Sequence, residues 1–260
     1  MSRAERELAA VLALALLLLP GCNRRRSGEA RAHVPLPAGG ASSDTDAGDA
    51  LVEDARTYDV KSWRMPLDRY DVAIEDVGMG TALDAVLERA GADLVINGGF
   101  FDENGKALGL TMSGGVQLSA LAKKLSGGVV TIDHAHAQLF ATESFVQPEG
   151  TRFAVQCRPR LVVNGQANVK SDDGKRSERT ALCLRDAGTT IEVVVVRGEE
   201  GGPSLHALGK WLAARGCDDA LNLDGGPSTG AAWKDEETGA TKLSAPRGPV
   251  RHAIVFRKKT

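Results

Sequence analysis

The folded part of the chain consists of short apolar stretches that switch between a period of two and a period near 3.6. Tyr70, Val72 and Ile74 alternate with polar residues, the pattern of a half-buried strand. Thr81 then opens a helix, with Asp84 three positions on as a capping partner, Leu83, Val86, Leu87 and Ala90 on one face, and Gly91 as its stop. Leu94 to Ile96 follows as a strand and runs directly into Asn97-Gly-Gly-Phe-Phe-Asp102. Short strands are predicted over 129–132, 138–140, 153–156 and 161–163, the last closed by the tight-turn pair Asn164-Gly165. Residues 178–184 and 191–196 predict neighbouring strands, and the almost continuous valine of the second marks a central strand covered on both faces. Ser204 caps a second helix running to Arg215, with Leu205, Leu208, Trp211 and Leu212 on one stripe and Gly216 at its end. A last strand spans 250–256.

Between that helix and that strand lies Ala220-Leu-Asn-Leu-Asp-Gly-Gly-Pro-Ser-Thr-Gly230, an apolar run that ends abruptly in polar and glycine residues. Alternation places Asn222 and Asp224 on one face at a strand end. The two glycines that follow permit a sharp turn and a close approach of a ligand to the backbone. The stretch also echoes an earlier one: with Gly91 set against Gly216, Leu83 meets Leu208, Leu87 meets Leu212 and Asn97 meets Asn222. Two such units would deliver both asparagines to one edge of a sheet on parallel strands, where open α/β sheets bind ligands. The expected fold is α/β (α+β), a single domain with a mixed β-sheet and flanking helices over 56–260.

Composition refines this picture mainly at the front of the chain. Leu8 to Leu19 is an apolar run preceded by Arg3 and Arg6, too short to span a bilayer and typical of a signal peptide. It stops at Leu19-Pro-Gly-Cys22, which resembles a bacterial lipobox, so 1–22 is expected to be a lipoprotein signal peptide with Cys22 lipidated. Residues 23–55, rich in Arg, Ala, Gly, Pro, Ser and Asp, are expected to be a disordered linker. The chain would then be exported and anchored to the cell envelope through lipid. Three cysteines would remain, Cys157, Cys183 and Cys217, as single buried thiols or with one bridge. A formal net charge of −2 leaves no basic footprint, so nucleic acid is not an expected partner.

Several motifs occur in one order. They are Ile96-Asn-Gly-Gly-Phe-Phe-Asp102, Gly109-Leu110 with Gly114-Gly115, Ala154-Val-Gln156 with Pro159-Arg-Leu-Val-Val-Asn-Gly165, Arg179-Thr-Ala181, and Asn222-Leu-Asp-Gly-Gly-Pro-Ser228. In this series the chain, from about Tyr58 to Phe256, resembles the phosphodiester glycosidase domain family, whose members release sugar from a phosphodiester and include many bacterial exported proteins. Cys157, Arg158, Gly98 and His252 depart from its commoner residues.

The resemblance implies a hydrolase acting on a glycosidic bond to phosphate in glycan or envelope material. Such a reaction expels a phosphate monoester, a good leaving group whose second pKa is about 6. The site therefore needs a cation and amides for phosphate, and a carboxylate to stabilise oxocarbenium-like charge or activate water. The expected catalytic residues are Asp224, Asp102 and Arg179. Asn97, Gly98, Gly99, Phe100, Gln156, Thr180, Asn222, Gly225, Gly226 and Ser228 are expected to line the substrate. Asn97 and Asn222 would either hold sugar hydroxyls or fix the loops. Asp102 and Asp224 are each also turn-forming aspartates beside glycine. No motif requires a cofactor, and a divalent ion such as calcium is compatible with the carboxylates. His134 and His136 share a strand face but make only two ligands, and Asp172-Asp173-Gly174 lacks the rest of a calcium loop. The rival functions are a non-catalytic glycan-binding or envelope-assembly module and a metal-dependent phosphodiesterase.

Overall fold

The computed structural model describes residues 50–260. The expected signal peptide, Cys22 and the linker before residue 50 lie outside the described residues. The strands are β1 (Leu51–Glu53), β2 (Arg56–Pro66), β3 (Tyr70–Gly80), β4 (Leu94–Asn97), β5 (Thr111–Ser113), β6 (Val116–Ser119), β7 (Gly128–Ile132), β8 (Ala137–Ala141), β9 (Phe153–Cys157), β10 (Arg160–Val163), β11 (Gln166–Ala167), β12 (Arg179–Arg185), β13 (Thr190–Arg197), β14 (Asp219–Asn222), β15 (Ala231–Lys234), β16 (Thr241–Ser244) and β17 (Val250–Lys258). The two α-helices among the described residues are α1 (Leu83–Ala90) and α2 (Leu205–Ala214).

The strands form a seven-stranded sheet in the order β1-β2-β13-β12-β14-β10-β11 and two five-stranded sheets, β16-β15-β4-β17-β3 and β6-β5-β9-β7-β8. Every strand pairing among the described residues is antiparallel. The expected mixed sheet is therefore corrected to three antiparallel sheets. A sheet-rich single domain with two helices on its outside keeps the α+β part of the expectation. The parallel pair proposed for Asn97 and Asn222 is corrected too, because β4 and β14 belong to different sheets.

The physical order is helix, sheet, core, sheet, helix. Trp63, Met65, Ile191, Val193, Val195, Leu182 and Leu221 of the large sheet bury against Leu94, Ile96, Ile254 and Phe256 of the second sheet, and against Val130, Phe153 and Val155 of the third. On the other face of the large sheet, Val194, Val196 and Ala181 pack beneath Leu208 and Leu212 of α2. Alternate β13 valines thus serve two cores, which is why the run is apolar without a break. Helix α1 covers the second sheet in the same way, with Leu83, Val86 and Leu87 on Val95, Ala253 and Val255.

The local signals at the helix ends held in part. Ser204 accepts from the Ala207 N–H at 3.0 Å as the N-cap of α2, and Gly91 closes α1 at φ 57°. Thr81 does not cap α1, which starts at Leu83 behind Ala82 with no side-chain cap. The order also begins before residue 56: Leu51 is buried in β1, and the Glu53 carboxylate accepts from Ser204 N at 2.8 Å and Ser204 Oγ at 2.6 Å. Glu53 thereby occupies the positive end of α2. Cys183 and Cys217 form a disulfide across 34 residues that ties the segment after α2 to β12, while Cys157 is a buried thiol.

Candidate functional site

Strands β4 and β14 come from different sheets, yet their C-terminal ends meet. The main chain makes the join: Asp224 N–H donates to Gly98 O at 3.2 Å, and Leu223 N–H to Thr180 O of β12 at 2.8 Å. Asn97, fully buried, braces it. Its Nδ2 donates to Asp224 O at 2.8 Å, and its Oδ1 accepts from Thr180 Oγ1 at 2.7 Å and Gly230 N–H at 3.2 Å. Asn222 Nδ2 donates to Arg158 O at 2.8 Å and Leu223 O at 2.7 Å. Of the two roles expected for the asparagines, both side chains are engaged in fixing loops.

Asp224 stands half-buried at this junction, and its Oδ1 accepts from Gly225 N–H at 2.9 Å. Burial raises its pKa above the ordinary carboxylate value, outweighing the Ser228 hydroxyl and the Gly225 amide, which favour the ionised form. The Ser228 hydroxyl also lies 3.0 Å from Pro249 O. A single proton serves one of these acceptors at a time.

Arg179 opens β12, next to β14. The register between the two strands ends at Ala181 and Asn222, two residues short of both Arg179 and Asp224, and neither of these charges is among those acting on the other. They do not form an ion pair. Arg179 Nε donates to Pro203 O at 3.1 Å, and Asp173, Glu53 and Arg176 are the charges around it. Burial is the main influence on its pKa, which is lowered. Glu178, a neighbour in sequence, faces elsewhere: its buried carboxylate accepts from Arg247 Nη2 at 2.8 Å and lies 4.0 Å from Arg197.

Those two arginines also fasten the loop after Asp224, through Arg247 N–H to Pro227 O at 2.8 Å and Arg197 Nη2 to Thr229 O. A cleft of about 520 Å³, lined in part by Tyr58, Arg56, Arg197 and Arg247, opens beside them. Sequence reading did not find Glu178, Arg197 and Arg247, because no local pattern links residues brought together only by the fold.

The glycines serve backbone approach before anything else. A Cβ on Gly98 would stand 2.7 Å from His252 O, and one on Gly225 would stand 2.7 Å from Glu178 O. Gly98, Gly225 and Gly226 N–H groups donate to His252 O, Asp224 Oδ1 and Glu178 O at 2.8, 2.9 and 2.8 Å. Of the backbone amides of Gly98, Gly99, Gly225 and Gly226, the glycines expected to line the substrate, only that of Gly99 has no partner among the described residues.

Gly98, Gly99, Phe100, Gln156 and His252 do come together, around a space of about 10 Å³. This is room for one water and not for a sugar ring. Gln156 is a brace: its Oε1 accepts from Leu110 N–H and Ala122 N–H, both at 2.9 Å, and its Nε2 donates to Ala122 O at 2.9 Å and Leu125 O at 3.1 Å.

Asp102 holds its own turn, accepting from Asn104 N–H at 3.0 Å and Lys106 N–H at 2.9 Å. Of the two expected carboxylates, Asp224 alone joins the β4, β12 and β14 junction. His134 and His136 lie in the β7–β8 hairpin, where His136 Nε2 is 2.6 Å from Ala187 O. Asp172 pairs with Arg176 at 2.8 Å. Among the described residues, no three His, Cys, Asp or Glu side chains are grouped to hold a metal ion.

The fold is a sheet-rich domain whose glycine-rich strand ends meet at one half-buried carboxylate. The chain belongs to the phosphodiester glycosidase family, whose profile matches residues 90–257. No curated protein matches it. Among solved structures, it is similar to the catalytic domain of zebrafish N-acetylglucosamine-1-phosphodiester alpha-N-acetylglucosaminidase, auto-inhibited by its pro-peptide. The TM-score is 0.62 and the identity 17%, covering 81% of each chain. A hypothetical protein from Synechocystis matches with TM-score 0.59 and 15% identity over 81% of this chain, which spans only 61% of that one. A Burkholderia pseudomallei protein described as exported matches with TM-score 0.57 and 14% identity, covering 81% of this chain and 76% of that one. At these identities the likeness is one of fold.

Proposed function

We propose that this chain hydrolyses the bond between an anomeric carbon and phosphate in a glycosyl phosphodiester of glycan or envelope material. The observation that carries the reading is the half-buried Asp224 at the meeting of β4 and β14, with Arg179 at the start of the neighbouring strand β12. Asp224, ionised, takes a proton from water as the water oxygen bonds to the anomeric carbon. The C–O bond to phosphate breaks, and its electron pair leaves with the phosphate monoester. That group needs little protonation near neutral pH, so a second carboxylic acid is dispensable. Arg179 supplies the positive charge for phosphate, and the Gly99 N–H supplies a neutral donor.

The same proposal places the protein outside the cytoplasm, held to the envelope by lipid on Cys22, on the strength of the apolar run 8–19 and the cysteine that follows it. The membrane enters only through that anchor.

The test is incubation of the protein with N-acetylglucosamine phosphodiesters in water enriched in heavy oxygen, with released sugar quantified and the label located. The expected result is free sugar carrying the label. Label in the phosphate, with activity lost in chelator, would establish a metal-dependent phosphodiesterase instead. Saturable binding without release would establish a glycan-binding module.

A further inference from the structure

Lys123, Lys124 and Arg158 are exposed, and their side chains have no hydrogen-bond or ion-pair partner among the described residues. Their main chain is held in place. Lys123 and Lys124 occupy the two central positions of a turn closed by Leu125 N–H, which donates to Ala122 O at 2.9 Å. Gln156, 2% exposed, grips both ends of that turn: its Oε1 accepts from Ala122 N–H at 2.9 Å, and its Nε2 donates to Ala122 O at 2.9 Å and Leu125 O at 3.1 Å. The chain leaving the turn then passes against Arg158, since a Cβ on Gly127 would stand 2.6 Å from the Arg158 Cβ. A buried amide thus fixes a turn whose tip is two unpaired cations, with a third beside it.

Two routes tie this patch to the Asp224 junction. Arg158 O accepts from Asn222 Nδ2 at 2.8 Å, and Asn222 precedes Asp224 by two residues. Gln156 lines the same small space as Gly98 and Gly99, and Gly98 O accepts from Asp224 N–H at 3.2 Å. The charges of Asp224 and Arg158 both act on the buried Cys157 thiol, as neighbours should. On the adjoining turn, Thr142 Oγ1 accepts from Gln156 Nε2 at 3.3 Å, which brings the exposed Glu143 alongside. Apart from Asp224 itself, three cations stand against that carboxylate, on a chain of formal net charge −2. Like charges gathered without counter-charges repel, and an anionic partner relieves the repulsion.

We propose that Lys123, Lys124 and Arg158 form a binding edge for a polyanionic substrate, a chain of sugars joined by phosphodiesters, and so set a preference for polymer over a single diester. The proposal rests on the reading of Asp224 as the reacting carboxylate. Such a polymer carries a negative charge at every link, so a chain held with one link at Asp224 brings further phosphates to either side. The lysines supply point charges on flexible stems that follow a phosphate without demanding one geometry, and Arg158 supplies a planar fork.

The experiment measures binding of labelled poly(N-acetylglucosamine 1-phosphate) to the full-length protein carrying Asp224→Asn, which turns nothing over. It is repeated with Lys123→Gln, Lys124→Gln and Arg158→Gln added together. The expected result is saturable binding that weakens as salt rises from about 50 to 200 mM. Affinity should fall about tenfold in the triple variant, and Lys123→Arg with Lys124→Arg should keep it. An unchanged melting temperature checks that these exposed positions leave the fold intact. In the protein with Asp224 in place, the triple substitution should raise KM for the polymer about tenfold and leave kcat and KM for N-acetylglucosamine 1-(methyl phosphate) as they were. If no sugar is released while the edge still binds the polymer, the hydrolytic reading fails and the edge stands. The proposal is overturned if the triple variant binds the polymer as its parent does, if uncharged dextran binds as well, or if an oligothymidylate of equal charge binds as tightly.

Discussion

The side chain of Asn97 holds the main chain of Asp224, its Nδ2 donating to the Asp224 carbonyl at 2.8 Å across 127 residues of sequence. One amide thereby joins two sheets at the point where the carboxylate projects. Asn97→Ala would leave Asp224 O, Thr180 Oγ1 and Gly230 N–H without their shared partner. We expect a loss of about 2–4 kcal/mol in denaturant unfolding, with turnover falling in the fraction that stays folded. Unchanged midpoint and turnover would make the brace dispensable.

Asp224→Asn is expected to lower turnover by at least about 1000-fold without loss of thermal stability. The sign follows from its raised pKa. Between the unfolded and folded pKa values the folded chain holds more of this proton, so the Asp224 contribution favours folding on the acid side. It declines as pH rises through the folded value. An amide, which carries no charge to desolvate, removes that decline. A melting temperature well below that of the wild type at neutral pH would contradict this account.

The same shift sets the acid limb of activity. Because the proposed base must be ionised, the limb should lie above the ordinary aspartate value of about 4. A pH profile of kcat/KM whose acid limb falls at or below that value would assign the limb to another group.

Gly98→Ala and Gly225→Ala should each cost about 1–3 kcal/mol, since the new methyl would meet a backbone oxygen at 2.7 Å. Gly99→Ala is the control. Its Cβ would have neighbours no closer than 3.4 Å, so stability should stay within about 0.5 kcal/mol. If Gly99→Ala nonetheless depresses kcat, its unpaired N–H is implicated in the chemistry.

Cysteine chemistry should separate three sulfurs cleanly in the full chain carrying Cys22→Ser. Burial pushes the Cys157 thiol up to about 12, so it should resist alkylation in the native protein and react on unfolding. Cys183 and Cys217 should react only after reduction. Replacing both by alanine should cost about 2–4 kcal/mol, as expected for a bridge closing 34 residues. A thiol that reacts with alkylating reagent in the native, unreduced protein would refute the assignment.

What the sequence determined by itself is what its local chemistry encodes. The Ser204 cap, the αL stop at Gly91 and the Asn164-Gly165 turn, with φ 50° and 73°, each need only a few adjacent residues. The β13 valines likewise encode burial on both faces without naming what covers them. The order of the motifs along the chain carries the resemblance through which Asn97, Arg179 and Asp224 are expected at the site.

The tertiary structure decided the rest. Strand β15 with its two alanines, β6 with exposed Val116 and Leu118, and the three-residue β1 carry almost no pattern of their own, and they form because neighbours pair with them. The direction and sheet of each strand, the use of Asn97 and Gln156 as braces, and the turn of Glu178 toward Arg197 and Arg247 instead of Arg179 all depend on partners remote in sequence, as Lys258 is from Tyr70 and Gly230 from Asn97. A hydrogen bond or a close backbone approach is a relation between positions in space, and local sequence spacing carries no record of it.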